Sequence, residues 1–313
     1  MRLWRGKGGD EPRQPDLAFL TETQARRVRS LFQRAMAERG RELVTDPLGN
    51  FRDDEGNGYG LWNIAVLCRD DPDGEKAWPE LIAGYADTLL RGNSHQARAR
   101  VAALTAEEAR GLVYLAIRGT GKTGSLYPSA PQVAPGLVEL LALELPDNTV
   151  FLHEGEVARL GGQESLRAAA LANLRALPAP FCKRMGGPDA SFDAITGISH
   201  FTASRVLVMP DLLSRVLETD APDGVLVAMP ARHYALIHVL RDGTARPALL
   251  MMARLARSLH SQEQGPISPD VFWWRDGGWM PIPSVESDAK ITLRLGPELS
   301  FLLTDLAARP PAD

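Results

Sequence analysis

From Thr21 to Gly40 the apolar residues Val28, Leu31, Phe32 and Ala35 recur at three- and four-residue spacing, which gathers them on one side of an α-helix. Thr21 and Gln24 have the spacing of a capping box, in which each side chain bonds the other's backbone N–H, and Gly40 can close the far end. The other side of this helix carries Arg26, Arg27, Arg29, Arg34 and Arg39. A strand is expected at Glu42 to Thr45, and the Asp-, Asn- and Gly-rich run at 53–58 predicts a hairpin turn. Two helices follow, from about Trp62 to Cys68 and from about Trp78 to Leu90, the second packing Leu81, Ile82, Tyr85 and Leu89 along one side.

Periodicity fades after that, and a linker is placed at 93–104. Thr105 and Glu108 start a short helix, Val113 to Ile117 reads as a strand, and a Pro-rich loop runs to Pro135. Strands are expected near Leu137 to Leu143 and Val150 to Leu152, then a helix from Gln163 to Leu177 that ends at Pro178 and Pro180. A strand around Phe192 to Ile195, helical segments through Thr202 to Leu217, and strands at Val225 to Met229 and Tyr234 to Val239 come next. Pro247 opens a helix that continues to Leu259, and a hairpin turning at Asp276-Gly277 joins Val271–Arg275 to Gly278–Ile282. A strand near Ile291 to Leu295 precedes a last helix from Pro297. Hairpins with interspersed helices define an α+β class: mixed, mainly antiparallel sheets with packed helices, in two lobes. The expected divisions are a tail at 1–16, an N-terminal α+β lobe at 17–92, the linker at 93–104, a C-terminal α+β lobe at 105–308 and a tail at 309–313.

Composition narrows the classes of function. A hydrophobic fraction of 44% and a charged fraction of 24% are those of a folded chain. The net charge of −4 argues against a protein whose main task is gripping nucleic acid, so nucleic acid is expected only as a weaker alternative partner. No apolar block follows the basic start Met1-Arg2-Leu3-Trp4-Arg5, and the most apolar windows are broken by Glu139 and Glu144 or by Pro210, Asp211 and Arg215, so neither a leader nor a membrane contact is expected. Cys68 and Cys182, far apart, read as reduced thiols, and the location expected is cytoplasmic.

One segment announces chemistry. Ala116 to Thr123 follows an apolar run and fits a phosphate loop if Ala replaces the first Gly; Gly119, Thr120, Gly121, Lys122 and Thr123 would then cradle a nucleotide's phosphates. Such a loop needs a helix from its lysine, and here Pro128, Pro131 and Pro135 follow. Asp53, Glu55 and Asn57 resemble the start of a calcium loop, but its twelfth position is Ile64. His233 and His238, five residues apart beside a strand, face opposite ways and cannot share a metal; Ser199-His200 and Ser204 lack a nucleophile turn. Two contact surfaces remain: the basic helix side with Arg26, Arg27 and Arg34, and the hairpin with Trp273, Trp274 and Trp279. Alternation sends Trp273 and Trp274 to opposite faces.

The runs Ala170 to Leu174, Phe201 to Val208, Val225 to His233 and Gly265 to Pro269, with the Trp273 hairpin after them, resemble in order and spacing the YtpQ-like uncharacterised bacterial family. Gly60 to Ile64 adds a looser match, so the resemblance extends from about residue 20 to 283. It implies a cytosolic bacterial protein with no catalytic residues to carry over, a segment at Val113 to Tyr127 without a consistent phosphate-loop sequence, and His233 where relatives would have an acid. The expectation is a non-enzymatic factor that binds a protein partner, as an adaptor, a chaperone-like or an immunity-type protein, with no catalytic residue, metal or cofactor. The competing expectation is a nucleotide-dependent enzyme using residues 116–123.

Overall fold

A computed structural model describes residues 17, 19–45, 51–53, 58–91, 94–121, 123, 127–146, 148–263, 265–287 and 290–309. The fold is α+β, with antiparallel sheets and packed helices, and the chain divides into two compact units, Met1–Ala97 and Arg98–Asp313.

In the first unit the capping box at Thr21 forms as the spacing requires: Thr21 Oγ1 accepts from the Gln24 N–H at 3.2 Å and Gln24 Oε1 accepts from the Thr21 N–H at 3.1 Å. It starts α1 (Glu22–Ala37), whose Val28, Phe32, Ala35 and Met36 are buried. Against them pack α2 (Trp62–Asp70), α3 (Trp78–Arg91) and Phe51 from a three-stranded meander, β1 (Val44–Thr45), β2 (Phe51–Arg52) and β3 (Gly58–Tyr59). The predicted turn at 53–58 joins β2 to β3, and its residues 54–57 lie outside the described residues.

The expected linker at 93–104 is instead a helix, α4 (Ser94–Ala103), and the boundary between the units falls inside it. Its apolar side is only Ala97 and Val101, four apart and buried. Its carbonyl end is capped from a distance, since Arg159 donates to Val101 O at 2.6 Å and Leu104 O at 2.9 Å.

The second unit continues with α5 (Ala106–Leu112) and a sheet in which β4 (Val113–Gly119) and β5 (Gln132–Ala134) flank β6 (Leu137–Leu145), with β7 (Asn148–Phe151) also on β6. Next come α6 (Glu154–Arg159) and α7 (Gln163–Ala176). A six-stranded antiparallel sheet follows in the order β13-β12-β10-β11-β9-β8, with β8 at Phe181–Gly187, β9 at Ala190–Thr196, β10 at Val225–Ala228, β11 at Tyr234–Val239, β12 at Val271–Arg275 and β13 at Gly278–Ile282. Both faces of its centre are covered. Val225, Val227, Ile237 and Phe272 pack with the 3-10 segment Ala203–Val208 and α8 (Met209–Arg215). Leu226, Ala228, Leu236 and Trp273 pack on α9 (Ala245–Gln262) and α10 (Pro297–Leu306). A strand buried on both faces needs an unbroken apolar run, which is what Val225-Leu226-Val227-Ala228 supplies. A separate hairpin, β14 (Ser284–Ser287) with β15 (Lys290–Leu293), precedes α10. Among the described residues no helix is long and apolar enough to cross a membrane.

Candidate functional site

The β12–β13 hairpin pairs Trp274 with Trp279 across a two-residue turn, Asp276-Gly277, both of whose residues have positive φ (50° and 81°). That is the turn whose twist matches paired strands, and it favours Asp-Gly. Trp273 corrects one expectation: it is wholly buried, its indole N–H donates to Asp223 O at 3.0 Å, and it belongs to the core rather than to a contact surface. Trp274 and Trp279 point the other way and stay half-buried, in the wall of a cleft of about 700 Å³. Val133, Val206, Leu207 and Pro210 line the same cleft. Its charged residues include Glu139, 4% exposed on β6, whose two carboxylate oxygens are both held by the Arg167 guanidinium from α7.

The arginine side of α1 is exposed but matched. Arg26 lies 3.6 Å from Glu22 and Arg34 lies 2.9 Å from Glu38, each one turn away. Arg27 meets Glu75 at 3.0 Å with its guanidinium over the Trp78 ring, and Arg39 grips Asp87 with two bonds. Each of these four positive charges therefore has a carboxylate of its own within the same unit, which weakens this side as an anion-seeking surface.

The phosphate-loop-like segment has structural duties. Gly119 is the last residue of β4, paired with Leu137, and a Cβ on it would come within 2.5 Å of Ile267 O. The Thr120 N–H donates to Gly136 O at 2.9 Å. Thr120, Gly121 and Thr123 are helical, while Lys122 lies outside the described residues. Because Ile267 O is backbone and cannot swing aside, we expect Gly119→Ala to lower stability by about 1–3 kcal/mol, read from urea denaturation. A loss under about 0.5 kcal/mol would show that the close approach relaxes freely.

The sequence did not single out Arg118, within that same segment, or connect it with His200, Arg232 and His233. Here these four meet. Arg232 Nε donates to His233 Nε2 at 2.9 Å, so His233 Nδ1 carries the proton and donates it to Gly197 O at 3.0 Å. The His200 and His233 rings lie 5.7 Å apart, edge to face, and His200 Nδ1 is 2.9 Å from Thr149 Oγ1. Arg118 donates to Ile117 O at 2.8 Å and lies over the Phe151 ring at 5.0 Å. Burial, then Arg232, His233 and Arg118, push the His200 imidazole down to about 4. Burial and Arg232 lower Arg118 to about 10, and burial, then Arg232, also lower His233.

His238 and His260 are lowered too, burial first in each case. A histidine held neutral in the fold takes up a proton more readily when unfolded. The stability it gives is therefore complete above its ordinary value of 6.5 and is lost as pH falls toward the folded value, about 4 for His200. Thermal unfolding midpoints should stay level above about pH 6.5 and drop steadily from there toward pH 4, and His200→Gln should flatten part of the slope. An acid-independent midpoint down to about pH 4 would overturn this.

Other sequence-marked groups stand apart. Ser204 Oγ accepts from the Ile117 N–H at 2.9 Å, and His238 Nδ1 sits 2.7 Å from Ser191 O, away from His233. Burial pushes the Cys68 thiol up to about 12, and Cys182 is raised as well, so neither is an activated nucleophile. Among the described residues no group of three or more His, Cys, Asp or Glu side chains can hold a metal ion. The class defined by fold and site is thus an α+β protein of two units with an aromatic cleft and a separate Arg–His cluster in the second. No family model, no curated protein and no solved structure matches the chain.

Proposed function

We propose that the protein is a binding factor that receives an apolar side chain of a partner protein in the cleft walled by Trp274 and Trp279. The single observation that carries this reading is that pair of half-buried tryptophans on a cleft of about 700 Å³. Pockets that take a side chain or a small ligand fall at about 300–1,000 Å³, and tryptophan is over-represented among residues that dominate binding energy. The buried Glu139 carboxylate, held by the half-exposed Arg167 guanidinium, gives the cleft a fixed polar mark. Adaptor, chaperone-like and immunity-type roles all fit this reading.

The test is binding by purified components. A partner recovered with the tagged full chain is purified and titrated against the wild type, Trp274→Ala, Trp279→Ala and Arg26→Gln. Each tryptophan variant should weaken binding by at least about tenfold, a loss of about 1.4 kcal/mol, and Arg26→Gln should not. Unchanged affinity in both tryptophan variants overturns the cleft. The competing reading, a nucleotide-dependent enzyme using Lys122 and Thr123, is decided by ATP–magnesium titration of the wild type and Lys122→Ala: saturable binding lost in the variant would favour it.

A further inference from the structure

We propose that Arg118, His200 and Arg232, braced by His233, form a pocket for a small oxyanion, either a phosphate or a carboxylate group. Four stretches of the second unit are locked together to build it. The missing Cβ of Gly119 lets the end of β4, which carries Arg118, lie against Ile267 O. The chain around Ile267 is tied to the β10–β11 connection, since the Arg232 N–H donates to Gly265 O at 3.0 Å and the Ile267 N–H to Pro230 O at 2.9 Å. Gly265 also makes room for the Arg232 side chain: a Cβ there would sit 2.7 Å from Arg232 Cδ. The turn bearing His200 is held to the same connection by the Ala203 N–H, which donates to Arg232 O at 3.0 Å, and by His233 Nδ1 on Gly197 O. Placement of these side chains is therefore fixed by backbone, as a binding site requires.

The charge that Arg118 and His200 feel is one-sided. Arg118 and His200 each feel the positive charge of Arg232, and no carboxylate among the described residues offsets either of them. Only one Arg118 nitrogen is used within the described residues, on Ile117 O, while its flat face is held by Phe151. No described residue bonds His200 Nε2. All four residues are partly exposed. A planar guanidinium with open donors, confined beside a second cation, is the arrangement that recognises phosphate and carboxylate oxygens in pairs. His200 adds a neutral ring whose second nitrogen can donate or accept, because the Thr149 hydroxyl can serve Nδ1 in either role.

Titration calorimetry of the full chain at matched ionic strength, with inorganic phosphate in one arm, malonate in a second and chloride as control, tests the pocket. Saturable binding of phosphate or malonate is expected, and the tighter of the two identifies the group as phosphoryl or carboxylate. Arg118→Gln should weaken it at least about tenfold and Arg118→Lys less, because a point charge keeps attraction but loses the paired geometry, while Arg26→Gln in the other unit should bind as wild type. In parallel, the ring resonances of His200 in the wild-type protein should shift along the same isotherm with those of His260 unmoved, a readout that stands even if a variant fails to fold. The proposal is overturned if no oxyanion binds saturably below about 50 mM, if Arg118→Gln matches the wild type, or if His200 does not respond.

Discussion

Trp273→Ala should destabilise the unit Arg98–Asp313 by about 3–5 kcal/mol, among the largest losses a single substitution can cause here. Trp273 is wholly buried between the six-stranded sheet and α9 and α10, so truncation leaves a void lined by Leu226, Val271 and Met252 that a close-packed interior cannot collapse to fill. The variant also strands the Asp223 carbonyl that accepts from the indole N–H. Trp273→Phe separates the two contributions, since it keeps most of the apolar volume and removes the hydrogen bond; it should retain more than half of the stability lost by alanine. Urea denaturation followed by far-ultraviolet circular dichroism supplies the numbers. A loss below about 1 kcal/mol for Trp273→Ala would mean that the site is not packed as described.

The matching result in the unit Met1–Ala97 is Trp78→Ala. Trp78 is 2% exposed, its indole N–H donates to Cys68 O at 2.7 Å, and it joins α2 to α3 at the first turn of α3. Removing it opens a cavity beside Ile64 and Ile82 and frees the end of α2, and about 3–5 kcal/mol should be lost. Amide hydrogen exchange reads this locally: protection of α1 and α3 should fall by roughly two to three orders of magnitude or more. Protection unchanged in both helices would overturn it.

Much of the fold was legible because its elements obey a single period. The α1 stripe with its capping box, the apolar run of β10 and the Asp276-Gly277 hairpin each carry a local rule strong enough to survive in the folded chain. What escaped lacks a local rule. α4 shows only Ala97 and Val101 as an apolar side, and the arginine that caps its carbonyls is Arg159, more than fifty residues away. The edge strand β8 (Phe181–Gly187) has no alternation to read, because its residues are largely exposed and it is held by pairing with β9. The same holds for sites. Trp274 and Trp279 could be marked from one hairpin, whereas the Arg118–His200–Arg232–His233 cluster is assembled by hydrogen bonds between segments distant in sequence. Within Ala116 to Thr123 attention fell on the glycines and the lysine, but it is Arg118 that reaches the cluster, and Gly119 serves by having no side chain.

The two-residue turn at Asp276-Gly277 also works as a parity setting for the hairpin. Neighbours on a strand face opposite ways, so a β12–β13 pairing slipped by one residue would turn Trp279 on the edge strand away from the cleft, while β12 keeps its facing through the pairing of Trp273 with Leu226 and of Trp274 with Val225 on β10. Both are tryptophans, and composition alone cannot tell the pillar from the wall. What distinguishes them is the register of β12 on β10, and the count of residues through the turn then sets which way Trp279 faces on β13. Lengthening that turn by one residue would take Trp279 out of the cleft wall without changing its identity, and the hairpin's geometry is thereby part of the specificity of the cleft.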